Sequence, residues 1–172
     1  PDADGNRFML VTGRQGSDGR SVVYQLDSQG EPVEQIDAEG NTTPIFAELE
    51  GVINGSAAWT QFDANGDGQS SIFLLLTGET NELRLRSEDT TYVRLPASKL
   101  YRFDEATEAF LETETTLPEL YSETNGTSIS WNDYDQDGDS DLLLTGRDFF
   151  DNPLTKVFRN DGYGILRNGW RQ

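Results

Sequence analysis

Residues 131–146 have the sequence WNDYDQDGDSDLLLTG, an acidic loop that leads directly into a short apolar run ending in Thr-Gly. Short apolar runs bounded by Asp, Asn and Gly are typical of β-strands joined by tight turns. The alternating aspartates of the loop place several carboxylates within a few residues of one another. This stretch therefore predicts both a strand and a candidate cation site.

The same pattern recurs along the chain, and self-similarity at a fixed period indicates a repeat architecture. The Thr-Gly endings are 65 and 68 residues apart. Four features recur. An Asp/Asn/Gly cluster lies at 2–5, 63–68 and 133–138, and the apolar run follows it at 9–13, 74–78 and 142–146. A Tyr/Phe segment lies at 23–27, 100–104 and 157–161, and a Trp-bearing segment at 55–59 and 126–131.

Each unit predicts four short antiparallel strands: Trp-bearing, Leu-rich, Tyr/Phe-bearing and a last one, near Phe110 in the middle unit. Tandem four-stranded units are typical of β-propeller blades, which stack to bury both faces. The predicted fold is all-β, with a partial blade lacking its first strand at 1–50, a blade with a loop insertion near 79–98 at 51–120, and a third blade at 121–172. A β-sandwich with coincidental repetition is the alternative.

Residues 131–146, together with VFRNDG at 157–162, resemble the FG-GAP/VCBS repeat. This repeat occurs in secreted bacterial proteins, and its FG-GAP form in integrin α-chain propellers. The resemblance implies calcium-binding blades and an extracellular or cell-surface location. It also implies that the acidic loop joins the innermost strand of a blade to the second, so that a bound ion would staple this hairpin.

The loop at 133–141 offers the oxygen ligands that Ca²⁺ prefers. We expect Asp133, Asp135 and Asp137 to occupy positions 1, 3 and 5, Asp139 to contribute its carbonyl at position 7, and Asp141 to close the site at position 9. An EF-hand would need a Glu at position 12 and flanking helices. That position is an apolar leucine, so the EF-hand interpretation fails.

The second loop fits the same template with fewer charges, and the first copy is partial. The ligands expected in the second loop are Asp63, Asn65, Asp67, the carbonyl of Gln69, and Ser71. A register two residues earlier, beginning at Gln61, would align the tryptophans better, but the first register places Gly68 at the turn. In the first copy only Asp2, Asp4 and the Asn6 carbonyl remain.

Composition excludes several functions. The chain of 172 residues has no His and no Cys, which excludes Ser-His-Asp and Cys-His nucleophile systems within it. Its net charge of −18 would repel nucleic acid and anionic lipid. Cation-binding carboxylates and a surface adapted to high salt are competing explanations of this acidity. No apolar stretch approaches the ~20 residues of a membrane span.

The sequence thus predicts a non-catalytic, calcium-stabilised extracellular module for adhesion, carbohydrate or protein binding. A structural subunit of an extracellular filament or surface assembly, and an accessory scaffold of a carbohydrate-active enzyme, are the alternatives. No catalytic residue is assigned, since no pair stands out among the 31 acids. Closed propellers usually have ~4–8 blades. We therefore expect these blades to pack against further blades of a longer protein, or against other copies of the chain.

Overall fold

The described part of the computed structural model comprises residues 7–36, 38–44, 46–63, 67–85, 92–120, 126–148, 150, 152–161 and 166–168. Within these ranges every regular element is a β-strand, and all strand pairs are antiparallel. The all-β prediction is confirmed. None of these residues forms a helix with the length and hydropathy that a membrane crossing needs.

The described strands form three consecutive sheets and a two-stranded ribbon. The first sheet has the order β1-β2-β5, and the ribbon β3-β4 lies between its last two strands in the sequence. The second sheet, β6-β7-β8-β9, and the third, β10-β11-β12-β13, follow the chain order. The bounds are β1 Arg7–Gln15, β2 Asp18–Leu26, β3 Glu34–Ile36, β4 Thr42–Pro44, β5 Phe46–Leu49, β6 Ile53–Phe62, β7 Ser71–Leu85, β8 Tyr92–Asp104, β9 Ala109–Glu112, β10 Ser128–Asn132, β11 Asp141–Arg147, β12 Pro153–Asn160 and β13 Leu166–Asn168.

The second sheet lies between the other two and is buried on both faces. Its central strand β7 is buried continuously over 72–80, as expected for a strand covered on both sides. Leu74 and Leu76 pack in one cluster with Val23 of the first sheet. Alternate residues of the same strand point the other way, into a second cluster: Phe73 and Leu75 pack there with Leu142, Leu144 and Phe158 of the third sheet.

Polar contacts fix how neighbouring sheets sit against each other. The Asn81 side chain accepts a hydrogen bond from the amide of Gly19 at 2.6 Å and donates one to its carbonyl at 2.9 Å. Between the second and third sheets, the buried hydroxyls of Thr77 and Thr127 are 2.7 Å apart. Face-to-face packing of consecutive sheets is therefore specified by polar groups as well as by apolar area.

The insertion near 79–98 extends an existing hairpin. β7 continues to Leu85 and β8 starts at Tyr92, with a register shift between Glu79 and Leu83. The Leu83, Leu85 and Tyr92 side chains on this extension are exposed. The described part of this extension is thus solvated at 81–85 and at Tyr92, whereas Val93 and Ala97 are buried.

Candidate metal centre

The third acidic loop closes the hairpin between β10 and β11. The last pair of this hairpin is Asn132 with Asp141, and the pair before it is Trp131 with Leu142. The loop therefore spans the eight residues 133–140 and sits at one edge of the third sheet. Gln136 and Gly138 adopt positive φ angles of 64° and 100°, which reverse the chain within this short span.

The first aspartate of the loop organises its backbone. Asp133 accepts hydrogen bonds from the amide of Asp137 at 3.1 Å and from that of Gly138 at 3.0 Å, one on each carboxylate oxygen. Asp137 in turn accepts one from the amide of Asp139 at 3.1 Å. Side chains that bond their own backbone a few residues on are what make aspartate a strong turn former. These bonds hold the loop in a tight curl.

Asp141, the last predicted ligand, is anchored in the sheet and is only 2% exposed. Its two oxygens accept hydrogen bonds from the amides of Asn160, at 2.8 Å, and Tyr134, at 2.9 Å. The side-chain amide of the fully buried Asn160 donates to the Ser140 carbonyl at 3.2 Å. These donors offset the free-energy cost of burying a charged carboxylate. Because Asn160 lies on β12, the same bonds tie the loop to that neighbouring strand.

Three of the five aspartates predicted for this site converge. One carboxylate oxygen from each of Asp133, Asp135 and Asp141 lies within 4.8 Å of the others. Asp137 and Asp139 lie outside this group: the Asp137 carboxylate faces Arg159 at 3.4 Å, and Asp139 was predicted to contribute only its carbonyl. An all-carboxylate oxygen set fits a hard cation such as Ca²⁺ or Mg²⁺ and does not fit a metal that prefers nitrogen or sulfur.

The electrostatics of the loop are those of crowded carboxylates. Desolvation raises the pKa of Asp135, and the Asp137 and Asp141 charges add to the rise while Arg159 opposes it. Desolvation also raises the pKa of Asp139, followed by the charges of Asp137 and of Asp63 in the second loop. A positive charge placed among these groups would relieve the repulsion.

The second loop repeats the backbone hydrogen bonds that the first and fifth residues of the third loop accept. Asp63 accepts from the amides of Asp67 at 3.3 Å and Gly68 at 2.7 Å, and Asp67 accepts from the amide of Gln69 at 2.8 Å. These bonds match those of Asp133 and Asp137 one for one, and they favour the register that starts at Asp63.

The tryptophan mismatch has a simple structural cause. Trp59 pairs with Leu74 as Trp131 pairs with Leu142, but the β6–β7 hairpin continues two residue pairs further, to Phe62 and Ser71, before its loop starts. Ser71, at the position of Asp141, offers a hydroxyl instead of a charge.

Several expected ligands lie outside the described residues. Asn65 of the second loop is one, and Asp2, Asp4 and Asn6 of the first copy are the others. The position-9 residue of that first copy, Phe8, packs in an aromatic cluster with Phe103 at a centroid distance of 4.7 Å.

Both repeated tryptophans take part in packing between sheets. Trp59 stacks on Phe8 of the first sheet with ring centroids 6.5 Å apart, and Trp131 lies 6.4 Å from Phe62 of the second sheet. Each tryptophan therefore contacts the preceding sheet and packs between sheets.

Two residues of the site were missed from the sequence: Arg159 and Asn160. Arg159 lies 2.9 Å from Asp135 and 2.8 Å from Asp161, and Asn160 supports Asp141. They belong to the recurring segment at 157–161, which was interpreted only as a strand. The signal that could have found them is adjacency, because β12 pairs with β11 directly beside the acidic loop.

Comparisons with family models, with curated proteins and with solved structures find no match to this chain. The resemblance to FG-GAP/VCBS repeats therefore rests on the residues of the repeat itself.

Proposed function

We propose that this chain is a non-catalytic, calcium-stabilised extracellular binding module built from β-propeller blades. The observation that carries the proposal is the convergence of the Asp133, Asp135 and Asp141 carboxylates at the tip of one hairpin. Two of them lie on the loop and one begins strand β11. An ion held by all three would join the loop to the sheet.

Calcium is the favoured ion because its coordination is flexible and takes many oxygens. Mg²⁺ demands near-ideal octahedral geometry, which a curled loop with a mixture of carboxylate and carbonyl oxygens meets less easily. Binding would stabilise the hairpin, since the folded state presents the ligands together and the unfolded chain does not. We expect an affinity of about 10⁻⁴–10⁻³ M, the range of extracellular calcium modules.

Two observations support the blade interpretation: the four-stranded meanders in chain order and their face-to-face stacking. The same strands make the same contacts in turn, since Leu74 and Leu142 both lie opposite a tryptophan and both pack on the preceding sheet. Propeller blades repeat in this way, and their surfaces commonly bind partners. Carbohydrate and surface proteins are the ligand classes that we propose, without assigning a binding residue.

A second candidate function, a subunit of an extracellular assembly, is favoured by an exposed apolar face on the first sheet. By repeat position, Met9 and Val11 correspond to Leu74 and Leu76, which are fully buried against the preceding sheet. Met9 is 40% exposed and Val11 51% exposed. A sheet of the same kind, from a further blade of a longer protein or from another copy of the chain, would cover them.

Thermal melting with and without calcium tests the main proposal. The chelator-treated protein should melt at a lower temperature than the calcium-loaded protein, and Asp133→Asn should remove most of that difference. A matched control is Asp148→Asn, since Asp148 organises a turn elsewhere in the third sheet by accepting from the amides of Phe150 and Asn152. Equal melting temperatures with calcium and with chelator would overturn the proposal.

Size-exclusion chromatography in calcium tests the assembly candidate. Association that Val11→Lys abolishes would support packing through the first sheet. The control is Phe150→Lys, because Phe150 is 77% exposed but lies in a turn of the third sheet. A monomer at all concentrations would contradict assembly and leave the binding module as the remaining candidate.

A further inference from the structure

Arg159 places a positive charge directly beside the acidic loop. It lies on strand β12, next to the hairpin that carries the loop. Its Nε is 2.9 Å from Asp135 Oδ2 and 2.8 Å from Asp161 Oδ1, and its Nη2 is 3.4 Å from Asp137 Oδ2. One guanidinium thus contacts three carboxylates, two of which are predicted calcium ligands.

These contacts divide the oxygens of the loop into two groups. Asp133 and Asp141 are held by backbone amides and do not depend on the arginine. Asp135 and Asp137 each accept a backbone amide hydrogen bond on Oδ1 and direct Oδ2 toward the guanidinium. A cation bound at positions 1, 3, 5 and 9 of the loop would need Asp135 and Asp137 as well. The arginine and the cation would then share the same two carboxylates.

We propose that Arg159 is a built-in counter-ion that stabilises the calcium-free loop and competes with calcium for Asp135 and Asp137. This inference rests on the proposed calcium function and concerns the regulation of that site. Without metal, the guanidinium offsets the repulsion among the crowded carboxylates. With metal, its positive charge opposes the divalent ion, and the ion and the guanidinium share the Asp135 and Asp137 carboxylates.

Because of this competition, the calcium affinity of the third loop should be lower than its aspartates alone would give. Two positive centres a few Å apart repel even near the surface, where the effective dielectric constant is high. Removing the arginine charge should therefore tighten calcium binding by about three- to tenfold at low salt, and by less at high salt. A weakened affinity suits a site that is loaded only where calcium is abundant.

The test compares Arg159→Gln with Arg20→Gln in the full chain. Both variants change the net charge by the same amount, and Arg20 is a similarly exposed arginine that pairs with Glu48 at 2.8 Å on the first sheet. Isothermal titration with CaCl₂ gives the affinity, and thermal melting in chelator gives the stability of the calcium-free protein. Arg159→Lys adds a variant that keeps the charge but loses the forked contact.

We expect Arg159→Gln to bind calcium more tightly than the wild type and to melt about 2 °C or more lower in chelator. Arg20→Gln should keep the wild-type affinity. Arg159→Lys should show a smaller gain, and it carries the test if the glutamine variant fails to fold without calcium. Unchanged or weaker binding by the Arg159 variants, with a wild type that binds, would overturn the inference alone. If none of the proteins binds calcium, the calcium proposal itself is overturned, and the inference that Arg159 competes with calcium is overturned with it.

Discussion

In the second and third acidic loops the first and fifth residues accept matching backbone hydrogen bonds, but the loops differ greatly in charge. In both, the first aspartate accepts from two amides, at 3.3 and 2.7 Å in the second loop and at 3.1 and 3.0 Å in the third. They differ at their last position, where the third loop has the buried Asp141 and the second has Ser71. The comparison shows that two loops of different charge share a curl organised by the first aspartate, and we propose that the charge set determines whether an ion is held.

The largest expected effect is at Asp141. Substitution with alanine should cost about 2–3 kcal/mol of folding free energy, because it leaves the amides of Asn160 and Tyr134 without their acceptor, one of them in the core. Calcium binding at the third loop should be lost as well. Chemical denaturation and calorimetry measure the two effects.

Asp141→Asn serves as the control for that substitution, because it keeps an acceptor and removes the charge. It should recover much of the stability without recovering the affinity. Equal destabilisation by Ser71→Ala would contradict the distinction drawn between the two loops.

Substitution of the first aspartate sharpens the comparison further. In chelator, Asp63→Ala and Asp133→Ala should each cost about 1 kcal/mol, since each removes an acceptor of two backbone amides. In calcium the Asp133 variant should lose much more folding free energy than the Asp63 variant, because only the wild-type third loop has the full set of charges. Parallel urea titrations in the two buffers measure this. A similar loss for both variants in calcium would mean that the loops bind equally well.

The converse experiment adds the missing charge to the second loop. Ser71→Asp should raise the calcium affinity of that loop about tenfold, which corresponds to ~1.4 kcal/mol. Ser70→Asp adds the same charge one residue earlier, at an exposed position, and is the matched control. Calorimetric titration that shows the same change for both variants would mean that overall charge, and not the template position, sets the affinity.

The smallest effect is a coupling between the loops. Desolvation, then the charges of Asp137 and Asp63, raise the pKa of Asp139 above its ordinary value of 3.8. A carboxyl whose folded pKa is raised contributes stability that is present below its unfolded pKa and is lost as the pH rises through the folded pKa. Because Asp63→Asn removes one of these charges, it should lower the Asp139 pKa, which a carboxyl-detected NMR titration measures. An unchanged titration would show that the loops are electrostatically independent.

Much of the fold follows from the repeat. Apolar runs before Thr-Gly, the Trp-bearing segments and the segment near Phe110 are all strands, because their patterning is local. The ribbon of Glu34–Ile36 and Thr42–Pro44 was not predicted, since these short polar segments lack apolar alternation. The Asp133 and Asp135 positions follow from loop spacing. The Arg159 contacts required the pairing of β11 with β12, which spacing along the chain does not give.

Calcium titration of the chelator-stripped protein tests the central claim most directly. We expect one stronger site that Asp135→Ala abolishes, a second, weaker site that it spares, and a melting temperature that rises with calcium. No heat of binding, with no change in melting, would mean that the aspartate ladder is a solvated acidic surface and that the calcium account is wrong.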